Sequence, residues 1–182
     1  MFKFFKSGSS DASHSPRGPN NASATGGAAS PSPFASAPGT EIRYSPTLID
    51  ELKKDHKALL ATYMAIKASF DGGDYRAVSA KLNEFRISLQ GHLLTENVRF
   101  YIYLDRVHGQ DEMNSDLIRG FRREMDGIGR AALSFLKKYE TIGVDKELAG
   151  AFAKDFAEIG TVLGERIQRE ESVLYPLYVP AQ

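Results

Sequence analysis

The sequence predicts an all-α fold, an antiparallel up-down-up-down four-helix bundle behind a disordered N-terminal tail, and three observations carry that prediction. From Glu41 onward, apolar residues recur at spacings of three and four, the period of an amphipathic helix. Four such stretches of about twenty to thirty residues are joined by short Gly- and Asp-containing segments, and helices so connected pack most simply as antiparallel neighbours. No alternating strand pattern, internal repeat or Gly-rich phosphate loop is read between them.

Residues 1–40 open with Met1-Phe2-Lys3-Phe4-Phe5-Lys6 and continue in Ser, Gly, Ala, Pro and Asn. That composition cannot bury enough apolar surface to offset the entropy of ordering, so a disordered linker is expected. It has no uninterrupted apolar stretch of signal-peptide or membrane-span length. Residues 41–182 form the predicted bundle. Pro46 suits the first turn of helix one, which runs from about Thr47 to Ser69 with Leu52, His56, Leu59, Leu60 and Tyr63 inward and stops at Asp71-Gly72-Gly73-Asp74. Helix two is expected from about Tyr75 to Val107, the longest element if unbroken. Helix three spans about Asp116 to Tyr139, with Leu117, Phe121, Met125, Ile128, Ala132, Phe135 and Tyr139 inward. Helix four runs from about Lys146 to Tyr175, where Pro176 ends it, and turns Leu148, Phe152, Phe156, Ile159 and Leu163 inward.

Composition narrows the function. With 182 residues and 42% hydrophobic content the chain supports one ordinary core. Its 23 basic and 23 acidic residues balance, so neither nucleic acid nor anionic lipid is an expected partner. Without cysteine it has no thiolate ligand or thiol nucleophile, which fits a reducing, cytoplasmic setting. The serines lie mainly in the tail and form no nucleophile elbow. Phe100-Tyr101-Ile102-Tyr103-Leu104 reads as packing or a partner face, and His14 and His108 lie in or near loops.

The informative residues lie on the core seam of helix two. Val78, Leu82, Phe85 and Leu89 step by four, three and four, and the next inward positions fall on His92 and Glu96. A buried carboxylate needs a metal, a positive charge or several donors, and a neutral imidazole beside it suits a transition-metal site. His56 occupies the equivalent seam of helix one, and Glu170-Glu171 lie near the core face of helix four.

Residues 44–178 resemble the hemerythrin-like, or HHE cation-binding, family in Asp55-His56 with Leu59 and Leu60, in His92-Leu93-Leu94-Thr95-Glu96, and in Arg166-Ile167-Gln168-Arg169-Glu170-Glu171 followed by Leu174-Tyr175-Pro176-Leu177. The resemblance implies a non-haem di-iron centre held by five histidines and two carboxylates, with roles in oxygen binding, iron handling or sensing. Carried onto this chain, the metal ligands are His56, His92, Glu96 and one of Glu170 or Glu171. Met125 stands in the core register where helix three should bring histidine, and Glu124 and Asp126 beside it read as solvated. Arg166 stands where helix four should bring histidine, and a guanidinium has no free lone pair for a metal. Reaching Glu96 and a helix-four glutamate, Arg166 would replace the charge of a metal.

A slighter similarity, in Gly91-His92 and in Ile159-Gly160, Leu163, Arg166 and Glu170, is to the regulator-of-sigma-D family, whose members bind a sigma factor. The expectation is a non-catalytic iron-binding, sensing or regulatory module with an incomplete site for one or two ions. Its alternative is a metal-free bundle that binds a regulatory protein partner.

Overall fold

The computed structural model describes residues 42–181; the predicted tail, with the Phe/Lys tip and His14, lies outside the described residues. The four helical rods are there. The first is α1 (Leu48–Asp71). The second is α2 (Tyr75–Thr95), continued by a π-helical turn (Glu96–Tyr101) and by α3 (Ile102–Val107). The third is α4 (Glu112–Lys138). The fourth is α5 (Ala149–Arg169), led in by a 3-10 turn and followed by a second π-helical turn (Glu170–Leu174).

Local chemistry fixes the ends. Asp74 and Asp111 each accept a bond from the backbone N–H three residues on, the expected way to satisfy the free donors of a helix start. Between α1 and α2 the chain reverses at Gly73, whose φ of +72° is the left-handed region that glycine enters without a Cβ clash. No helix among the described residues is long and apolar enough to cross a membrane.

The seam predicted for α2 is buried throughout, from Val78 to Glu96. Two inward faces differ from expectation. Leu60 is 44% exposed, and in α4 the buried positions are Ile118, Phe121, Met125, Gly129, Ala132 and Leu136, so the face is rotated towards Ile118 and Leu136 and away from Leu117 and Phe135. The second rod keeps its expected bounds, Tyr75 to Val107, with the i→i+5 turn at Glu96–Tyr101 interrupting the α-helix within it.

The apolar core forms two clusters. One, at the end where the two π turns lie, joins Leu48 and Leu52 to Phe100, Tyr103, Leu174 and Tyr178. The other joins Leu59 and Ile66 to Leu82, Leu136, Phe152 and Phe156. Phe100, Tyr101, Tyr103 and Leu104 are 0–1% exposed, so the aromatic run is packing, not a partner face. The C-terminal residues close this end: the Tyr103 hydroxyl donates to Val179 O and accepts from Ala181 N, and His108 Nε2 donates to Leu177 O. Among the described residues, five buried polar side chains, His56, His92, Glu96, Arg166 and Glu170, complete the interior of the bundle.

Candidate metal centre

His56, His92, Glu96 and Glu170 are 1–4% exposed and offer ligand atoms that all lie within 4.8 Å of one another. Three rods supply them: α1 gives His56, the second rod His92 and Glu96, and the fourth Glu170. Both glutamates are the first residue of a π turn. A π turn inserts one residue into the helix and shifts the register of the residues beyond it, a device concentrated at functional sites. Here it places adjacent pairs in the core just beyond each glutamate, Phe100 with Tyr101 and Leu174 with Tyr175.

His56 Nδ1 donates to Glu171 Oε1 at 2.9 Å, which turns its Nε2 towards the centre. His56 Nε2 meets His92 Nε2 at 3.2 Å and Glu170 Oε2 at 3.4 Å, and His92 Nε2 lies 3.7 Å from Glu96 Oε2. His92 Nδ1 faces Asp55 Oδ2 at 3.7 Å, beyond hydrogen-bond length. The Tyr175 hydroxyl donates to Glu96 Oε1 at 3.0 Å and lies 3.3 Å from His56 Nε2. Two buried atoms have no hydrogen-bond partner among the described residues, His92 Nδ1 and Glu96 Oε2.

That donor set fits a transition-metal ion. Adjacent donors around a tetrahedral ion bound at about 2.0–2.1 Å are about 3.3–3.4 Å apart. The observed separations of 3.2, 3.4 and 3.7 Å are close to such edges. Imidazole nitrogen and carboxylate oxygen are ligands for iron, zinc or manganese, and the unpartnered Glu96 Oε2 is the kind of buried atom that costs energy unless a cation meets it. Outer carboxylates on both imidazoles, Glu171 firmly and Asp55 more distantly, are the arrangement that orients metal-bound histidines.

Electrostatics agree with a cation-seeking cluster. Burial, reinforced by the charge of Glu170, pushes the Glu96 carboxyl up to about 8. Burial and the neighbouring His56 push His92 down to about 4, so its imidazole is neutral and its lone pair available. For His56, burial opposes the charged form, and the hydrogen bonds to Glu170 and Glu171 outweigh it and raise the pKa. Burial drives the Tyr175 hydroxyl far above its ordinary value. Protons on His56 and Glu96 therefore compete with a metal ion for the same space.

Arg166 sits beside this cluster, 2% exposed. Its Nε donates to Glu170 Oε1 at 2.7 Å, Nη2 to the Tyr101 hydroxyl at 2.8 Å and Nη1 to Glu124 Oε2 at 3.2 Å, while the guanidinium lies over the Phe121 ring at 4.5 Å. Glu170 thus bridges, one oxygen on the guanidinium and the other towards the histidines. The expected contact from Arg166 to Glu96 is not made; Glu96 takes its hydrogen bond from Tyr175, and Arg166 Nε reaches Glu170 instead. Glu124 is not simply solvated, since Arg166 and Arg169 both bond it. Met125 is buried in the core register, as predicted, and outside the group of candidate ligands. Glu171, 36% exposed, stands at the rim as a partner of His56, so Glu170 is the glutamate that faces inward.

Sequence reasoning missed Tyr101 and Tyr175, although a signal was present. His92, Glu96 and Tyr101 have counterparts in Arg166, Glu170 and Tyr175, each 74 residues on (92 to 166, 96 to 170, 101 to 175). Each tyrosine crosses to the other set: Tyr101 to Arg166, Tyr175 to Glu96. The centre therefore has two related halves, one with histidines and one with a guanidinium.

A family model described as the hemerythrin HHE cation binding domain matches residues 47–178, well over half of the chain. No curated protein and no solved structure shows significant similarity to it, and the resemblance to the regulator-of-sigma-D family has no counterpart in these findings. On the family match, with the clustered histidines and glutamates of its core, the chain belongs to the hemerythrin HHE cation-binding family.

Proposed function

We propose that this protein is a non-catalytic iron-binding module, sensing or regulatory in role, that takes one ion at His56, His92, Glu96 and Glu170 and uses Arg166 in place of a second. The observation that carries the reading is the division of the cluster. One half has inward Nε2 atoms and an unpartnered Glu96 oxygen, and the other has a guanidinium whose three nitrogens all donate to Glu170, Tyr101 and Glu124. A guanidinium stays protonated and cannot ligate, so that half holds a fixed positive charge where a metal would otherwise sit.

Iron supplies redox and Lewis-acid chemistry when bound. The residues do the rest: Glu171 orients His56, Tyr175 holds Glu96 Oε1, and Glu170 ties the ion site to Arg166. Burial of all four donors keeps the ion site away from bulk solvent, which supports a binding role. A ligand that ties three rods together stabilises the fold by about 2.7 kcal/mol at one hundred times its Kd, so bundle stability follows metal supply. That coupling suits a sensor, and the absence of cysteine suits the cytoplasm.

The test is anaerobic equilibrium dialysis of the full chain against Fe(II), with elemental analysis. One equivalent is expected in the wild type and none in folded His92→Ala. A folded wild type that binds no iron would favour the metal-free alternative, in which the bundle acts on a protein partner.

A further inference from the structure

We propose that the Tyr175 hydroxyl is a fifth donor of the centre, ligating as a phenolate and fitting the site to a trivalent ion such as Fe(III). This rests on the ion-binding reading above and adds a ligand to it.

The geometry places the oxygen within the donor group. It lies 3.0 Å from Glu96 Oε1 and 3.3 Å from His56 Nε2, separations like those between the histidine and glutamate donors themselves. The phenol ring stacks on His56, with centroids 5.7 Å apart and planes 8° from parallel, and meets Phe100 edge-on at 5.1 Å. Tyr175 is 3% exposed, so packing fixes the oxygen against the cluster. The related tyrosine, Tyr101, is turned to Arg166 and has no such position.

Charge explains the preference. With an ion bound, the charged side chains around it would be Glu96, Glu170 and Arg166, all buried. A divalent ion with a neutral phenol and a trivalent ion with a phenolate leave these groups with the same net charge, so the phenolate balances the extra charge of the trivalent ion. Two carboxylates and a phenolate are hard oxygen donors, which suit a hard trivalent ion. As the oxygen–metal bond forms, the O–H bond breaks and its proton passes to the solvent.

The experiment loads the full chain with Fe(III) as its citrate complex, removes excess iron, and records iron content, visible absorption and resonance Raman spectra for wild type, Tyr175→Phe and Tyr101→Phe. Expected are one iron per chain in all three, a visible phenolate-to-iron charge-transfer band with enhanced phenolate ring modes in wild type and Tyr101→Phe, and loss of both signals in Tyr175→Phe. An iron-loaded wild type without the band, or a band that survives in Tyr175→Phe, overturns the assignment and leaves Tyr175 only as the residue that holds Glu96. A folded wild type that takes up no iron overturns the ion-binding reading as well.

Discussion

Replacing Arg166 by alanine tests how far the centre depends on a guanidinium. The side chain is 2% exposed and donates to Glu170, itself 1% exposed, at 2.7 Å. Removing one partner of a buried ion pair costs about 3–5 kcal/mol, because the other charge stays buried and unpaired. Two features place this case at the lower end. Glu170 keeps His56 within 3.4 Å, and the Glu124 contact adds little because that side chain is 39% exposed and retains Arg169. A loss of about 3 kcal/mol is expected, which for a bundle of this size lowers Tm by about 10 °C. The assay is thermal unfolding of the metal-free protein by circular dichroism, with Arg169→Ala as control. Arg169 bonds the same Glu124 from a half-exposed position, so its removal should cost under about 1 kcal/mol. The effect carries a pH signature. Burial opposes ionisation of Glu170, but His56 and Arg166 outweigh it and lower its pKa in the fold. Such a contribution is complete above the ordinary glutamate value and lost as pH falls through the folded one, so the gap between wild type and Arg166→Ala should narrow in acid. An Arg166→Ala protein within about 1 kcal/mol of wild type at neutral pH would refute the idea that the guanidinium offsets a buried carboxylate.

The same geometry sets the outcome of other substitutions. Arg166→His should add a second, weaker metal equivalent in dialysis, since Glu170, Glu124 and Tyr101 already surround that position. Glu171→Gln should weaken metal affinity about 10- to 100-fold in competition titrations while leaving apo stability nearly unchanged, because it orients His56 from a partly exposed position. Gly160→Ala should destabilise by about 1–3 kcal/mol in denaturant titrations despite the better helix propensity of alanine. A Cβ there would overlap the Tyr63 hydroxyl, which donates to Phe156 O. Gly164→Ala meets open space and should be stabilising by up to about 1 kcal/mol.

The α2 seam was legible because its apolar residues keep a helical spacing that points to His92 and Glu96 without a break. The α4 face was less so: apolar residues occupy both Leu117 and Ile118, and both Phe135 and Leu136, so spacing alone does not choose between neighbouring stripes. The π turns were hidden because an inserted residue changes the backbone register without changing residue type. Their trace is the adjacent buried pairs after Glu96 and Glu170, which a 3.6-residue period does not allow on a narrow stripe. The expected partners of Arg166 were half right: it reaches the helix-four glutamate Glu170 but not Glu96. Tyr101 instead accepts from the guanidinium and Tyr175 donates to Glu96, two contacts that helical spacing alone does not show. Arg166 was legible as a charge replacement because the family resemblance expects a histidine at its position and a guanidinium has no free lone pair for a metal.

The most direct test of one ion beside one guanidinium is an anomalous-scattering map, collected at the iron edge from crystals of the iron-loaded full chain. The account predicts a single peak among His56 Nε2, His92 Nε2, Glu96 and Glu170, with ordinary guanidinium density at Arg166. A second peak between Glu170 and Glu124, or no peak in protein shown to be folded, would contradict it.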